Sequence, residues 1–458
     1  MNADRTRDLR ARDHAHVWHP FTPQSVWFED DAPVIERAEG FDLIDTDGNR
    51  YIDGVSSLWV NVHGHSHPTI VNAIKDQADR LQHATFLGLT HPPAIELAER
   101  LVALAPGELS RVFFSENGAA AVEVGLKMAF GYWRNRGEER TRFVHLVDAY
   151  HGDTLGAVSV GGIERFHETY RPLLFDTAAV PNAYCYRCPL GKTYPSCDIA
   201  CADALGDVLE REGDNVAAVV VEPLVQGAAG MITAPDGHLA RIASITKEHG
   251  TLLLVDEIAT GFGRTGRMFA CEHEGVEPDL MTVGKGITGG YLPLSATLAT
   301  EEIFEAFGGR PEQHRSLYHG HSYSANPITC AAALANLDVF RAERTLEHLG
   351  GKIELLQRLL KPLADHPHAG EIRQRGFMVG IELVADRQTK QPYDEALQMG
   401  ARVAAAARPR GAIIRPLGDV VVLMPPLAID DASLERLVHI TSQSIDVATR
   451  RGDEVTRV

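Results

Sequence analysis

The sequence predicts an α/β protein with a mostly parallel central sheet that is covered by helices. Through the middle of the chain, a short aliphatic or β-branched run is followed by a turn rich in Gly or Asp and then by a stretch with helical periodicity. This order recurs, as it does in sheets whose parallel strands are joined by helices. Because 458 residues exceed what one hydrophobic core usually supports, we expect two domains.

The apolar runs of this pattern are the expected buried strands. Each is too short and too apolar for an exposed helix. In chain order they are residues 112–115, 143–147, 217–221, 251–255, 280–283 and 295–299. Two helix starts are also marked by a capping residue ahead of proline, at Thr90 before His91-Pro92-Pro93 and at Asn326 before Pro327.

The two ends of the chain have a different pattern, and we expect them to form a smaller α/β domain. The N-terminal part has a hairpin-like stretch at 42–52 with an Asp47-Gly48 turn. The C-terminal part predicts an amphipathic helix at 346–363, short strands near 377–383 and 420–424, and a final helix from Ser433. The expected divisions are 1–65 packing on the small domain, 66–339 as the large domain, and 340–458 as the small C-terminal domain.

Composition and charge exclude several classes of function. Lys and Arg total 44 against 62 Asp and Glu, a formal charge of −18, and such an acidic surface repels polyphosphate backbones and anionic membranes. The first residues, MNADRTRDLRARD, lack the apolar core of a signal peptide, and no later run reaches the length of a membrane span. We expect a cytoplasmic protein that acts on small molecules, with neither nucleic acid nor membrane as a partner.

Four of the six cysteines lie in one short segment, at Cys185, Cys188, Cys197 and Cys201. Their spacing is close to that of a zinc ribbon, so a structural metal could hold this loop. The alternative is four reduced cysteines in an irregular loop. We predict no catalytic metal, and a non-catalytic metal-binding protein would leave the residues described next without a purpose.

Polar residues that directly follow the apolar runs are the candidates for chemistry, because ligands of such sheets bind beyond the carboxyl ends of the strands. Gly118 and Ala119 open a helix after the first of these strands, and the amides and positive end of a helix form a seat for phosphate. Asp256 directly follows four aliphatic residues, and Lys285 lies between two glycines after another apolar run. These residues are expected at one edge of the sheet.

Asp256 and Lys285 allow two interpretations. A metal-binding acid of a nucleotide hydrolase requires a G-x-x-x-x-G-K-[ST] loop, but the one candidate, Gly191-Lys192-Thr193, lacks the first glycine and follows no strand. The other interpretation is a carboxylate that faces a cationic ring nitrogen, together with a lysine that attacks an aldehyde. A desolvated lysine near another cation loses its proton easily and becomes such a nucleophile.

The two motifs around these residues resemble the signature of class III aminotransferases. The first is Asp256-Glu257-Ile258-Ala259-Thr260-Gly261-Phe262-Gly263-Arg264-Thr265-Gly266, and the second is Gly284-Lys285-Gly286-Ile287-Thr288-Gly289-Gly290. The resemblance extends from Trp18 to Pro426. It implies a fold-type I architecture, pyridoxal 5'-phosphate as the cofactor, and a homodimer with shared active sites.

Within that class the sequence is most similar to the diaminopelargonic acid aminotransferases of biotin synthesis. The matching segments are Trp18-His19-Pro20-Phe21-Thr22, Ser56-Ser57-Leu58-Trp59, His63-Gly64-His65, Tyr150-His151-Gly152-Asp153-Thr154, Glu222-Pro223-Leu224-Val225-Gln226-Gly227 and Arg415-Pro416 before Met424-Pro425-Pro426. The resemblance implies transamination of 8-amino-7-oxononanoate to 7,8-diaminononanoate with S-adenosylmethionine as the amino donor. Lysine as the donor, or a broad-specificity ω-amine transaminase, is the alternative.

The resemblance also assigns roles to individual residues. Lys285 would carry the cofactor as a Schiff base, Asp256 would pair with its ring nitrogen, and Tyr150 would stack on the ring. Gly118 and Ala119 would bind its phosphate, while His321 and Ser322 would reach the phosphate of the partner subunit's cofactor. The residues implied in substrate binding are Phe21, Leu58, Trp59, Tyr150, Gly320 and Arg415, of which Arg415 would hold a carboxylate through two parallel hydrogen bonds.

Three positions depart from the best-known members of that family, which have tyrosine, tryptophan and tyrosine where this chain has Phe21, Leu58 and Val422. All three are expected to line the substrate pocket. Leu58 and Val422 remove flat surface that could hold a large donor, so the identity of the donor is less firmly predicted than that of the keto acceptor. Ala119 also replaces a hydroxyl residue near the phosphate and leaves only a backbone contact.

Overall fold

A computed structural model describes residues 2–456 of the chain. The strands are β1 Ile35–Glu39, β2 Asp42–Asp45, β3 Arg50–Asp53, β4 Leu109–Ser115, β5 Arg142–Leu146, β6 Thr177–Val180, β7 Val216–Val221, β8 Val225–Gln226, β9 Ile232–Thr233, β10 Leu252–Asp256, β11 Leu280–Val283, β12 Ser295–Thr300, β13 Ala369–Arg375, β14 Met378–Leu383, β15 Ala412–Ile413, β16 Arg415–Leu417 and β17 Val420–Leu423. The helices are α1 Asn2–His16, α2 Gln24–Glu29, α3 Ser56–Trp59, α4 Pro68–Arg80, α5 Pro92–Leu104, α6 Gly118–Arg136, α7 Leu155–Ser159, α8 Glu164–His167, α9 Ala200–Glu212, α10 His238–Glu248, α11 Glu301–Ala306, α12 Pro327–Ala342, α13 Thr345–Leu360, α14 Met399–Ala407 and α15 Asp431–Thr456.

A seven-stranded sheet forms the centre of the fold, with the order β4-β12-β11-β10-β7-β5-β6. Its strands β11, β10, β7, β5 and β6 run parallel, whereas β12 runs antiparallel to both β11 and β4. Strands β7 and β10 are buried along their whole length, because a parallel sheet is covered by helices on both faces. This confirms the predicted α/β fold with a mostly parallel sheet.

The six predicted buried strands between residues 112 and 299 all occur in this sheet, and their ends differ from the prediction by a few residues at most. Strand β11 has the predicted bounds, and β4 begins three residues earlier than predicted. The sequence analysis missed β6, which pairs with β5 at the edge of the sheet. One predicted helix start was wrong: the N-cap of α5 is His91, whose side chain accepts a hydrogen bond from the amide of Ala94, and not Thr90. The Asn326 cap of α12 is confirmed.

Two smaller sheets are built from the ends of the chain. The sheet β1-β2-β3-β15 joins the N-terminal hairpin to β15, since Ile52 and Asp53 pair in parallel with Ala412 and Ile413. The sheet β13-β14-β17-β16 is made entirely of C-terminal strands. Strand β15 therefore ties the first part of the chain to the last.

The short helix α3 is unusual because it winds left-handed. Its residues Ser56, Ser57, Leu58 and Trp59 have φ angles of 48°, 43°, 71° and 71°, a conformation that costs about 1 to 2 kcal/mol for each residue with a Cβ atom. Two hydrogen bonds hold the turn, from Ser56 Oγ to the carbonyl of Met424 at 2.5 Å and from Ser57 Oγ to Asp53 Oδ2 at 2.7 Å. Contacts from distant parts of the chain thus impose this conformation.

The cysteine-rich segment follows β6 and ends in the first turn of α9, which contains Cys201. Its four cysteines are free thiols, and the loop is attached to strand β14 by Arg187, whose Nε donates to Glu382 Oε1 at 2.7 Å. Among the side chains that the structure describes, residues 4–450, no group of three or more His, Cys, Asp or Glu is arranged to hold a metal ion. Over the same residues, no helix has the length and apolar character needed to cross a membrane.

Candidate active site

The predicted catalytic residues meet at the carboxyl edge of the central sheet, in a cavity of about 450 Å³. Neighbouring strands β11, β10, β7 and β5 each deliver polar residues there. The expected site residues that line the cavity are Trp59, Gly118, Ala119, Tyr150, Asp256 and Lys285. Glu222 and His151 also line it, so this edge of the sheet concentrates titratable groups in a buried space.

Lys285 directly follows β11 and has a left-handed φ of 44°. Its amine lies 5.0 Å from the centre of the Trp59 ring. Burial lowers the pKa of Lys285 below its ordinary value; the charges of Asp256 and Glu222 oppose this, and the guanidinium of Arg264 reinforces it. The neutral amine, which is the nucleophilic form, therefore persists to a lower pH than in an exposed lysine.

Asp256 is the last residue of β10 and is buried. Its Oδ1 accepts hydrogen bonds from the amide of Ile258 at 3.0 Å and from Thr282 Oγ1 at 3.3 Å. Its Oδ2 lies 2.7 Å from Nδ1 of His151. These three partners fix the position of the carboxylate.

His151 is fully enclosed beside Asp256, and its Nε2 has no hydrogen-bond partner. Burial alone would lower the pKa of His151, but the hydrogen bond and charge of Asp256 raise it above the ordinary value. The sequence analysis quoted His151 only as part of a motif and gave it no role. The sequence around a histidine that follows a strand does not indicate which group its ring will contact.

Glu222 follows β7 and positions the loop that carries Tyr150. Its two carboxyl oxygens accept hydrogen bonds from the amides of Tyr150 and Gly227, each at 3.0 Å. Burial, with the nearby charge of Asp256, raises the pKa of Glu222 to about 7. Gly152 allows the same loop to approach α6, because a Cβ there would lie 2.4 Å from Cβ of Ala119.

The start of α6 forms the expected anion seat. Asn117 caps this helix, and its side chain accepts a hydrogen bond from the amide of Ala120. The amides of Gly118 and Ala119 belong to the first turn, where helical partners are lacking. Gly118 packs closely on strand β10's continuation, since a Cβ would meet Ile258 at 3.0 Å. A phosphate at this position would sit at the positive end of a nineteen-residue helix.

Other expected site residues lie outside the cavity. His321 is exposed and its Nδ1 contacts Glu116 Oε2 at 2.6 Å, while Gly320 and Ser322 are exposed on the same loop. Arg415 is exposed at the start of β16. In contrast, Val422, directly opposite Arg415 in the strand ladder, is 1% exposed. It is not among the residues that line the cavity.

Phe21 and Leu58 lie at the surface, with 56% and 43% of their area exposed. The segment that carries Phe21 is held by Asp13 of α1, whose carboxylate accepts a hydrogen bond from Trp27 Nε1 at 2.7 Å and contacts His19 Nε2 at 3.0 Å. The sequence analysis did not identify Asp13. Its role becomes visible only when α1 is placed against residues 19–27.

The residues of the cavity fit pyridoxal phosphate. The cavity offers an amine of lowered pKa for the aldehyde, a buried carboxylate for the ring nitrogen, and the amides of a helix start for the phosphate. The aromatic ring of Tyr150 and the indole of Trp59 border the same space.

The fold and the site define a class of protein, and comparison with known families agrees with it. The class III aminotransferase family matches residues 27–445, so the chain belongs to this family and uses pyridoxal phosphate.

Individual relatives are similar over nearly the whole chain. A protein of Nitratidesulfovibrio vulgaris named adenosylmethionine-8-amino-7-oxononanoate aminotransferase is 53% identical over 453 residues, which cover 98% of this chain and 84% of that protein. The crystal structure of the enzyme with the same name from Methanocaldococcus jannaschii has a TM-score of 0.92 at 42% identity and covers 96% of this chain and 99% of that one. The ω-transaminase of Pseudomonas jessenii, solved with PMP, has a TM-score of 0.92 at 31% identity and covers 96% and 98%.

Proposed function

We propose that this chain transfers an amino group from S-adenosylmethionine to 8-amino-7-oxononanoate and forms 7,8-diaminononanoate, a step of biotin synthesis. The observation that carries the proposal is the cavity in which Lys285, Asp256 and the start of α6 meet. The substrates follow from the names of relatives that are about half identical over nearly their full length. We also propose that the enzyme works in the cytoplasm.

When bound, pyridoxal phosphate supplies the electron sink that makes the carbon bearing the amine acidic. The amides of Gly118 and Ala119 bind the phosphate group. Asp256, held in place by the amide of Ile258 and by His151, would face the ring nitrogen and hold a proton there. Tyr150 rests on the ring, and its backbone is fixed by Glu222.

Lys285 has two tasks in this proposal. Its amine, of lowered pKa, would hold the cofactor through the aldehyde group. When free, the same amine would accept the proton from the substrate carbon and later return it. The indole of Trp59 lies 5.0 Å from this amine.

Arg415, Gly320, His321 and Ser322 are proposed to complete the site through a homodimer. Arg415 would bind the carboxylate of 8-amino-7-oxononanoate, since a guanidinium forms two parallel hydrogen bonds with a carboxylate. The exposed loop that carries Gly320, His321 and Ser322 would reach the phosphate and substrate of the partner subunit. Support for this comes from their exposure outside the cavity of their own chain.

We further propose that residues 66–339 form the large cofactor-binding domain and that residues 1–65 pack with residues 340–458. The pairing of β3 with β15 supports the second part of this division. Because Phe21 and Arg415 come from opposite ends of the chain, such a unit would present both to the substrate.

A broad-specificity ω-amine transaminase is the second candidate function. It is favoured by the similarity to the P. jessenii ω-transaminase and by the exposed Leu58, where a tryptophan is common. The deciding experiment supplies purified enzyme and pyridoxal phosphate with 8-amino-7-oxononanoate and one donor at a time: S-adenosylmethionine, lysine or a simple ω-amine. Diaminononanoate formed with S-adenosylmethionine supports the proposal, whereas product with lysine alone changes the donor. Turnover of simple ω-amines without diaminononanoate would assign the second candidate.

A further inference from the structure

Three aromatic rings meet beside the cavity, and one of them belongs to a residue that the family motifs do not contain. The ring centre of Phe166, on α8, lies 5.2 Å from that of Phe21 at an interplanar angle of 60°. It lies 6.1 Å from the ring centre of Tyr150 at 80°. Phe166 therefore connects the exposed Phe21 with Tyr150 in the cavity, in the edge-to-face geometry that aromatic pairs prefer.

Two glycines bring Phe166 to this position. The amide of Gly162 donates to the carbonyl of Ala149 at 2.7 Å, and a Cβ at Gly162 would lie 2.4 Å from the amide nitrogen of Asp148. A Cβ at Gly161 would lie 2.8 Å from the ring of His167. The chain can therefore fold back tightly on the end of β5, which places α8 next to Tyr150.

The surroundings of this corner suit a cation with a flat substituent. Asp153 lines the cavity, and its carboxylate accepts a hydrogen bond from the Tyr150 hydroxyl at 2.9 Å. Aromatic faces attract cations, and the attraction is strengthened by a nearby carboxylate. Leu58 offers no such face, so the flat surface at the entrance to the cavity comes from Phe21 and Phe166 instead.

We propose that Phe166 determines the specificity for the amino donor: with Phe21 it forms the wall that holds the adenine ring and the sulfonium of S-adenosylmethionine. This inference rests on the proposed function and identifies the donor subsite within it. The keto acceptor has neither a flat ring nor a sulfonium, so it makes no comparable use of this wall. Changes at Phe166 therefore act on one of the two half-reactions.

The test measures the two half-reactions of the holoenzyme separately by the absorbance of the cofactor. In Phe166→Leu, which keeps apolar volume and removes the ring, we expect kcat/KM for S-adenosylmethionine to fall about tenfold, mostly through KM. The reaction of the amine form of the enzyme with 8-amino-7-oxononanoate should change less than about twofold, since the acceptor gains no π contact there. Phe166→Tyr, which keeps the ring, should retain wild-type values in both.

A binding measurement and a matched control complete the design. Quenching of protein fluorescence on titration with S-adenosylhomocysteine, which keeps the adenine, should show binding that is about threefold weaker in Phe166→Leu. The control is Phe175→Leu, at a phenylalanine that is 43% exposed and lies outside the cavity, which should change neither quantity.

Several results would overturn the inference. Equal losses in both half-reactions would give Phe166 a general structural role, and an unchanged donor half-reaction would remove it from the donor site while leaving the proposed function intact. A wild-type enzyme that does not react with S-adenosylmethionine would overturn the proposed function and this inference together.

Discussion

Asp256 shows how a single carboxylate is prepared for its role by the residues around it. It is 4% exposed, and an isolated charge at such a place would be costly. The amide of Ile258, the hydroxyl of Thr282 and the ring of His151 compensate for the lost water. These contacts hold the carboxylate in one orientation, in which we propose that it faces the ring nitrogen of the cofactor.

Asp256→Asn tests this role. A neutral amide cannot balance a positive ring nitrogen, so we expect the cofactor to remain bound and the rate of the donor half-reaction to fall by at least about 10²-fold. Stopped-flow absorbance of the bound cofactor measures this rate. A loss of less than about threefold would contradict the role.

Lys285→Ala tests the attachment of the cofactor. The variant should fold and keep the circular dichroism spectrum of the wild type. It should show no absorbance of covalently bound cofactor and no turnover. Borohydride treatment should fix the cofactor permanently to Lys285, and mass spectrometry should detect this attachment in the wild type only. Lys247→Ala on α10, an exposed lysine, is the control and should behave as the wild type; turnover by Lys285→Ala would refute the assignment.

At the scale of elements, buried carboxyl groups hold the turns that follow the strands. Glu257, the residue after β10, is fully buried and accepts hydrogen bonds from Thr260 Oγ1 at 2.5 Å and from the amide of Cys271 at 2.8 Å. Burial raises the pKa of Glu257 from 4.5 to about 7. The group is therefore protonated in the folded protein at a pH where it would be ionised in the unfolded chain.

This shift gives the stability of the fold a pH dependence with a definite sign. A raised carboxyl pKa contributes stability at low pH that is lost as the pH rises from about 4.5 toward 7. Glu257→Gln cannot ionise; its amide oxygen can accept from the amide of Cys271, and its NH2 can donate to the hydroxyl of Thr260. Between pH 5 and 8 the variant should therefore gain stability relative to the wild type, on the order of 2 to 3 kcal/mol. Urea unfolding at both pH values measures it. The exposed Glu277→Gln should show no such gain; equal pH profiles for wild type and Glu257→Gln would contradict the shift.

The sequence predicted the elements that obey local rules and missed those imposed from a distance. The buried strands of the central sheet were recognisable because an apolar run at a strand's length has few alternatives. The left-handed α3 was not, since all four of its residues carry a Cβ atom and favour other conformations. The hydrogen bonds of Ser56 to Met424, 368 positions away, and of Ser57 to Asp53 hold this turn. Edge strand β6 is short and half-buried, so its pattern is weak.

The same distinction holds for the candidate site. Asp256 and Lys285 could be identified because both directly follow apolar strands and both occur in motifs. The role of His151 depends on which side of Asp256 its ring reaches, and that of Phe166 depends on the fold-back at Gly161 and Gly162. Neither is encoded in spacing. The residues proposed for the partner's site could be named only from the family resemblance.

At the scale of the whole molecule, shared active sites predict a defined result when two defective chains are combined. A chain with Lys285→Ala lacks the amine. A chain with His321→Ala and Ser322→Ala lacks the two side chains proposed to reach the partner subunit's cofactor. In a hybrid dimer, one site carries both defects and the other carries none. Random mixing of equal amounts should therefore restore about a quarter of wild-type activity. Gel filtration should show a dimer for each parent, and a mixture no more active than its parents would contradict a shared site.

The pairing of β3 with β15 has a consequence for the order in which this protein is made. Strand β3 ends at Asp53, but its partner begins only at Ala412. At roughly 5 to 20 residues per second, translation delivers the partner about 20 to 70 s after β3 has emerged. During that interval one edge of the N-terminal sheet has unpaired amide and carbonyl groups, the kind of edge that other chains can join. This edge therefore stays open to pairing with other chains until synthesis is almost complete, and a nascent chain released before residue 412 would expose it permanently.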